Sequence, residues 1–131
     1  MAELVTNLHM HTTYSDGTAI HAGIAREALK SGILDVVIVT DHNVYVQDVE
    51  RYYEEGSRKV LLMVGEGIHD LARDPQKNHL LVFNTNRELS TFAPIPQVLI
   101  DQVNRAGGLS FLAHPVDPAL PLFNQTDISW D

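Results

Sequence analysis

The sequence predicts an α/β protein built largely on parallel strands, and three observations carry that prediction. Segments of strand and helix character alternate from beginning to end. The run Val36-Val37-Ile38-Val39 is apolar on both faces, which suits a strand covered on both sides by helices. Ionisable residues of metal-ligand type close successive strands, at the rim where parallel α/β architectures gather their functional groups.

Taken in order, residues 4–10 read as a strand that runs into the loop HTTYSDG. Thr18 is the expected N-cap of a first helix, whose stripe of Ile20, Ile24, Ala28 and Leu29 stops at Gly32. The apolar run at 36–39 is the second strand. A second helix is expected over residues 46–53, ending before Gly56. Residues 59–64 give a third strand and 79–84 a fourth, joined by the polar loop LARDPQKN with no crossover helix. Pro94 and Pro96 open a further helix carrying Val98, Leu99, Val103 and Ala106, closed by Gly107-Gly108. LSFLAHP is the fifth strand.

The bulk numbers bound the function. A chain of 131 residues with a 44% apolar and 20% charged composition is one ordinary globular domain. No run approaches the ~20 apolar residues of a membrane span, and no signal peptide is visible at the start, so a cytoplasmic location is expected. The absence of cysteine removes disulfides and thiolate metal sites. A net charge of −8, with nine scattered Lys and Arg, argues against nucleic acid as a partner of this chain alone. It leaves phosphates open if bound cations reverse the local field.

The sharpest signal is the pair His9/His11. At spacing i, i+2 both imidazoles leave one face of a strand, ~6.7 Å apart along it, and can lean onto one ion. Asp41-His42 closes the second strand, Glu66 follows the third in VGEG, and His114 ends the fifth in AHP. His79 stands at the start of its strand, so it joins the same rim where that strand runs antiparallel or bends inward. Each residue taken alone also has a structural reading: Asp16 as the Asp of an SDG turn, Asp41 as a helix cap, His79 as a core histidine. His21 is expected on the solvent side of the first helix, and His69 at most to hydrogen-bond Glu66.

Together these motifs resemble the PHP (polymerase and histidinol phosphatase) family. His9-Met10-His11-Thr12-Thr13-Tyr14-Ser15-Asp16-Gly17 matches its H-x-H-T-x-x-S-D-G motif, and Thr40-Asp41-His42 its T-D-H. Glu66 and the later His79-Leu80-Leu81 match the third motif; Gly107-Gly108 through Ala113-His114-Pro115 match the fourth. The resemblance spans residues 4–115 and implies a distorted seven-stranded β/α barrel holding up to three ions of zinc, manganese or iron. It implies that His9 and His11 bind one ion, with Glu66 bridging to a second completed by His79 and His114. Asp16 and His42 would serve a third, and Asp41 would act on His42 or a bound water, the one catalytic assignment.

The activity so implied is hydrolysis of a phosphate mono- or diester, with a small phosphorylated compound or nucleotide as substrate. Two other readings stand beside it. One is a metal-binding PHP module without catalysis, appended to a larger protein such as a DNA polymerase; the other is an amidohydrolase-like enzyme acting on a carbonyl carbon. The family's late Asp-x-His has no counterpart after His114, and five strands do not close a barrel. Residues 1–131 are therefore expected to form a single PHP-like domain truncated at its C-terminal side, with an open edge that favours self-association. Arg73 and Lys77 are the basic residues placed nearest to meet a phosphate.

Overall fold

A computed structural model describes residues 3–72 and 79–115. Six strands and two α-helices follow one another among these residues: β1 (Thr6–Met10), α1 (His21–Ser31), β2 (Val36–Val39), β3 (Arg51–Glu55), β4 (Arg58–Ile68), β5 (Leu80–Phe83), α2 (Pro96–Arg105) and β6 (Leu109–Leu112). They build one curled, open sheet of order β1-β2-β4-β5-β6, a half-barrel, with β3 paired to β4 off that path.

The sheet is mixed rather than parallel. β1, β2 and β4 run parallel, β5 runs antiparallel to β4, and β6 runs antiparallel to β5. The start of β5 thus lies at the same end of the sheet as the finish of β1, β2 and β6, which brings His79 to the rim.

Residues 46–53 do not form a helix. Their second half is β3, which makes a hairpin with β4 across Gly56 and Ser57, pairing Tyr53 with Val60 and Glu54 with Lys59. Val46, Val49 and Tyr53 mimic a helical stripe, but a two-residue Gly-Ser connection with Gly56 at φ 59° and a tyrosine pair favour the hairpin. Lys59 Nζ lies 3.9 Å over the Tyr52 ring and 3.2 Å from Glu54, tying the hairpin together on its solvent side. β4 is long because it changes partner: its first half pairs with β3, its second with β5. At the change, Glu50 Oε1 accepts the Val64 amide at 2.8 Å, so that N–H is not left bare.

Strict alternation along the strands sorts the sheet into two faces. Val37, Val39, Val60 and Leu62 meet Ala25, Ala28 and Leu29 of α1. Ile68, Leu80 and Val82 meet Leu99, Ile100 and Val103 of α2. Both helices therefore cover the same, convex face. The first begins at His21 behind Ile20, with no side-chain cap, rather than at Thr18. The opposite face holds a smaller cluster of Leu81, Phe83 and Ala113 with Ile38 against it, and it carries the histidines at its rim. β1 and β6 end the strand order and leave its two edges open among the described residues.

Candidate metal centre

Six of the seven histidines meet at the concave rim. The His9 ring lies 4.9 Å from His11, 5.0 Å from His114 and 5.8 Å from His79, centroid to centroid. His42 lies 4.4 Å from His11, 5.0 Å from His69 and 5.1 Å from His79. His79 lies 5.6 Å from both His69 and His114. Two imidazoles sharing one tetrahedral ion at ~2.0–2.1 Å have ring centroids about 5 Å apart. Several of the pairs lie near that spacing, while His11 and His42 are stacked at 22° between ring planes.

Several ring nitrogens of this cluster lack hydrogen-bond partners. His9 Nε2, His11 Nδ1, His42 Nδ1, His69 Nδ1 and His79 Nε2 are buried and make no hydrogen bond. Native interiors rarely leave polar atoms so. The tightest grouping is His11, Asp16 and His42, whose donor atoms all lie within 4.8 Å of one another. Asp16 places Oδ1 3.6 Å from His11 Nδ1 and Oδ2 3.5 Å from His42 Nε2, a geometry that can hold a metal ion.

Electrostatics keep these groups ready to coordinate. Burial, then the neighbouring histidines, lowers His9 to about 4 and His79 to about 3; burial also leads the lowering of His11 and His69. These four rings are neutral at pH 7 and present lone pairs. For Asp16, slight burial acts upward, but His42 and His11 outweigh it and hold the carboxyl below its usual range.

The loop that carries Asp16 is built around Asp41. Its Oδ1 accepts the Thr12 amide and the Ser15 hydroxyl, both at 2.6 Å, and its Oδ2 accepts the Thr12 hydroxyl at 2.6 Å. Gly17 completes the turn: its amide bonds Thr12 O at 2.9 Å, and a Cβ there would fall 2.1 Å from His11 O. Asp41 caps no helix; it fixes the loop that carries Asp16, while its neighbour His42 faces the centre. The Asp41 oxygens are taken up by Thr12 and Ser15, so it positions this loop. Behind it, His21 is buried, 5% exposed, with Nε2 3.9 Å from Asp41 Oδ2, not on the solvent side as the sequence suggested.

Compared with family models, curated proteins and solved structures, the chain matches none.

Of the seven ligands expected from sequence, six are brought together: His9, His11, Asp16, His42, His79 and His114. Glu66 is not. The sequence placed it in a loop beyond a strand ending at Val64, but β4 continues to Ile68 and imposes its alternation. Glu66 shares the convex face with Ile68, whereas a Cβ on Gly67 would lie 3.2 Å from His79 Nε2. Its Oε2 accepts the Leu89 amide at 3.0 Å, and Oε1 is buried and unpartnered. Burial raises its carboxyl to about 7. The bridging role expected of Glu66 does not fit this geometry.

That placement has a pH signature. A carboxyl whose folded pKa lies above its unfolded value of 4.5 stabilises fully at low pH, and the contribution is lost as pH rises through about 7. Glu66→Gln mimics the neutral acid, so we expect it to be near-neutral at pH 5 and to stabilise at pH 8 by up to ~3 kcal/mol, the equivalent of that shift. Urea unfolding at the two pH values checks this; a stability loss at pH 8 would contradict it.

His69 was missed in the sequence because a single histidine past a glutamate carries no spacing signal. Arg73 and Lys77 lie outside the described residues. A cavity of about 380 Å³ opens beside the centre, lined by Asn43, His69, Asp70, Leu71, Ser90 and Pro94 among others. No helix among the described residues is long and apolar enough to cross a membrane.

Proposed function

We propose that the protein is a metal-dependent phosphoesterase of PHP type, hydrolysing a phosphate mono- or diester on a histidine-rich centre of up to three zinc, manganese or iron ions. The observation that carries this reading is the convergence of six histidines and Asp16, drawn from five separate segments, with five buried ring nitrogens left unpartnered. A nitrogen-rich shell with one carboxylate and no sulfur suits these ions rather than calcium or magnesium. Bound cations would supply Lewis acidity and ionise a water near pH 7. The chain's own part is to fix the donors: Asp41 holds the Asp16 loop, and β1, β2 and β5 set the spacing of the rings. No serine or cysteine nucleophile is required. Small phosphorylated compounds and nucleotides fit the cavity in size.

One observation favours a second reading, a metal-binding module without catalysis within a larger protein. Glu66 faces away, so the centre lacks the carboxylate expected to link two ions. Assays with p-nitrophenyl phosphate and bis-p-nitrophenyl phosphate in added Mn²⁺ or Zn²⁺ separate the two. Turnover that chelator abolishes and metal restores is expected; metal binding with no turnover on either ester sinks the enzyme reading and leaves the module. The open β1 and β6 edges suit self-association in either case.

A further inference from the structure

We propose that His69 is a metal ligand, closing a three-histidine site with His42 and His79 where a carboxylate was expected from Glu66. The inference rests on the metal-centre reading above and adds to it a residue that the sequence motifs do not contain.

Alternation in β4 explains why this residue arrives. Glu66 and Ile68 turn toward the helices, so Gly67 and the position after Ile68 belong to the concave face. There the His69 ring lies 5.0 Å from His42 and 5.6 Å from His79, which are themselves 5.1 Å apart. The triangle is close to equilateral at the ~5 Å that three imidazoles on a tetrahedral ion require. His69 Nδ1, His42 Nδ1 and His79 Nε2 are each buried without a hydrogen-bond partner. These atoms are not drawn in as tightly as those of His11, Asp16 and His42, the one group among the described residues whose donors all lie within 4.8 Å of one another, so the three rings would have to turn toward one another to share an ion.

The backbone holds the triangle in register. Asn43 Oδ1 accepts the His69 amide at 3.0 Å, and the Asn43 amide bonds Gly67 O at 2.9 Å. Asn43 takes a left-handed φ of 53° to do both, an uncommon conformation for a non-glycine residue. His42 and His69 are thereby stapled across two strands. His42 offers Nδ1 to this triangle while its Nε2 lies beside Asp16, so ions on both sides at once would require it as a bridging imidazolate; the fourth position of this ion would open toward the cavity that His69 lines. Zn²⁺, or Co²⁺ as its spectroscopic substitute, suits such a shell.

The test titrates Co²⁺ and Zn²⁺ into the wild-type chain, His69→Ala, His69→Gln and Glu66→Gln, reading ions retained per chain and the visible Co²⁺ absorption. Loss of one ion per chain in both His69 variants, or affinity weakened at least ~10-fold, is expected, with Glu66→Gln as wild type. Wild-type stoichiometry and affinity in His69→Ala, or loss of an ion in Glu66→Gln alone, overturns the assignment. Histidine-ring ¹⁵N spectra of the wild type with and without Zn²⁺ give the same answer without a substitution: the His69 nitrogen shifts if it ligates and stays put if it does not. A wild type that takes up no ion removes this proposal and the metal centre together. Unchanged metal uptake without phosphatase turnover removes only the proposed activity.

Discussion

Asp41→Ala is expected to cost about 3–5 kcal/mol of folding stability, the range for removing one partner of a buried charged network. Asp41 is 1% exposed and Thr12 fully buried, so no water replaces the lost bonds. The substitution strips the acceptor from the Thr12 amide, the Thr12 hydroxyl and the Ser15 hydroxyl at once. It also frees the loop that carries Asp16. Asp41→Asn keeps the shape but turns an amide toward groups that donate, and so recovers little. Urea unfolding of the metal-free protein reads the loss; a cost below ~1 kcal/mol would mean that this loop is not organised by the carboxylate.

His42→Ala carries the second large effect, and it falls on metal rather than on stability. His42 contacts His11, His69 and His79, and its Nε2 lies 3.5 Å from Asp16. It stands between the tight His11–Asp16 group and the rest of the cluster, so its loss opens both. Affinity for the tightest ion is expected to fall at least ~100-fold, about 2.7 kcal/mol, measured by competition with a chelator of known affinity. Its ring is partly exposed, so the fold should survive the truncation. Unaltered affinity would place the ion elsewhere.

What could be read in the sequence, and what could not, follows from which residues advertise their direction. His9 and His11 do, because two residues at i, i+2 on a strand share a face wherever that strand lies. His42 does, because the end of a buried parallel strand has few other uses for an imidazole; His114 was read by the same rule, although β6 is an antiparallel edge strand. His79 was legible as a condition: an antiparallel strand would bring it in, and β5 is antiparallel. Glu66 was not legible. Its face depended on whether the strand ended at Val64 or ran on to Ile68, and VGEG gives no sign of its own end. His21 and His69 lacked any patterned neighbour, so burial and ring contacts alone reveal them. The hairpin was lost to a fortuitous apolar spacing, since long-range pairing with β4 decides what local propensity leaves balanced.

Two of the five non-glycine residues at positive φ among the described residues adjoin or belong to the histidine cluster, the others being Asp48, Asn84 and Asn86. These two, Asn43 and His114, adopt left-handed backbone at 53° and 48°. Backbone held in that region costs of order 1 kcal/mol or more at each non-glycine position and persists where the surroundings over-determine it.

The measurement that bears most directly on the account is the number of ions that stay with the chain. The purified protein is loaded with Zn²⁺ or Mn²⁺, passed through a desalting column and analysed for metal by mass spectrometry. At least one ion per chain, released on acidification through about pH 4 and 3 as His9 and His79 take up protons, is the predicted result. A chain that leaves the column bare, with no binding below millimolar concentrations, would show that the rings gather for some other reason.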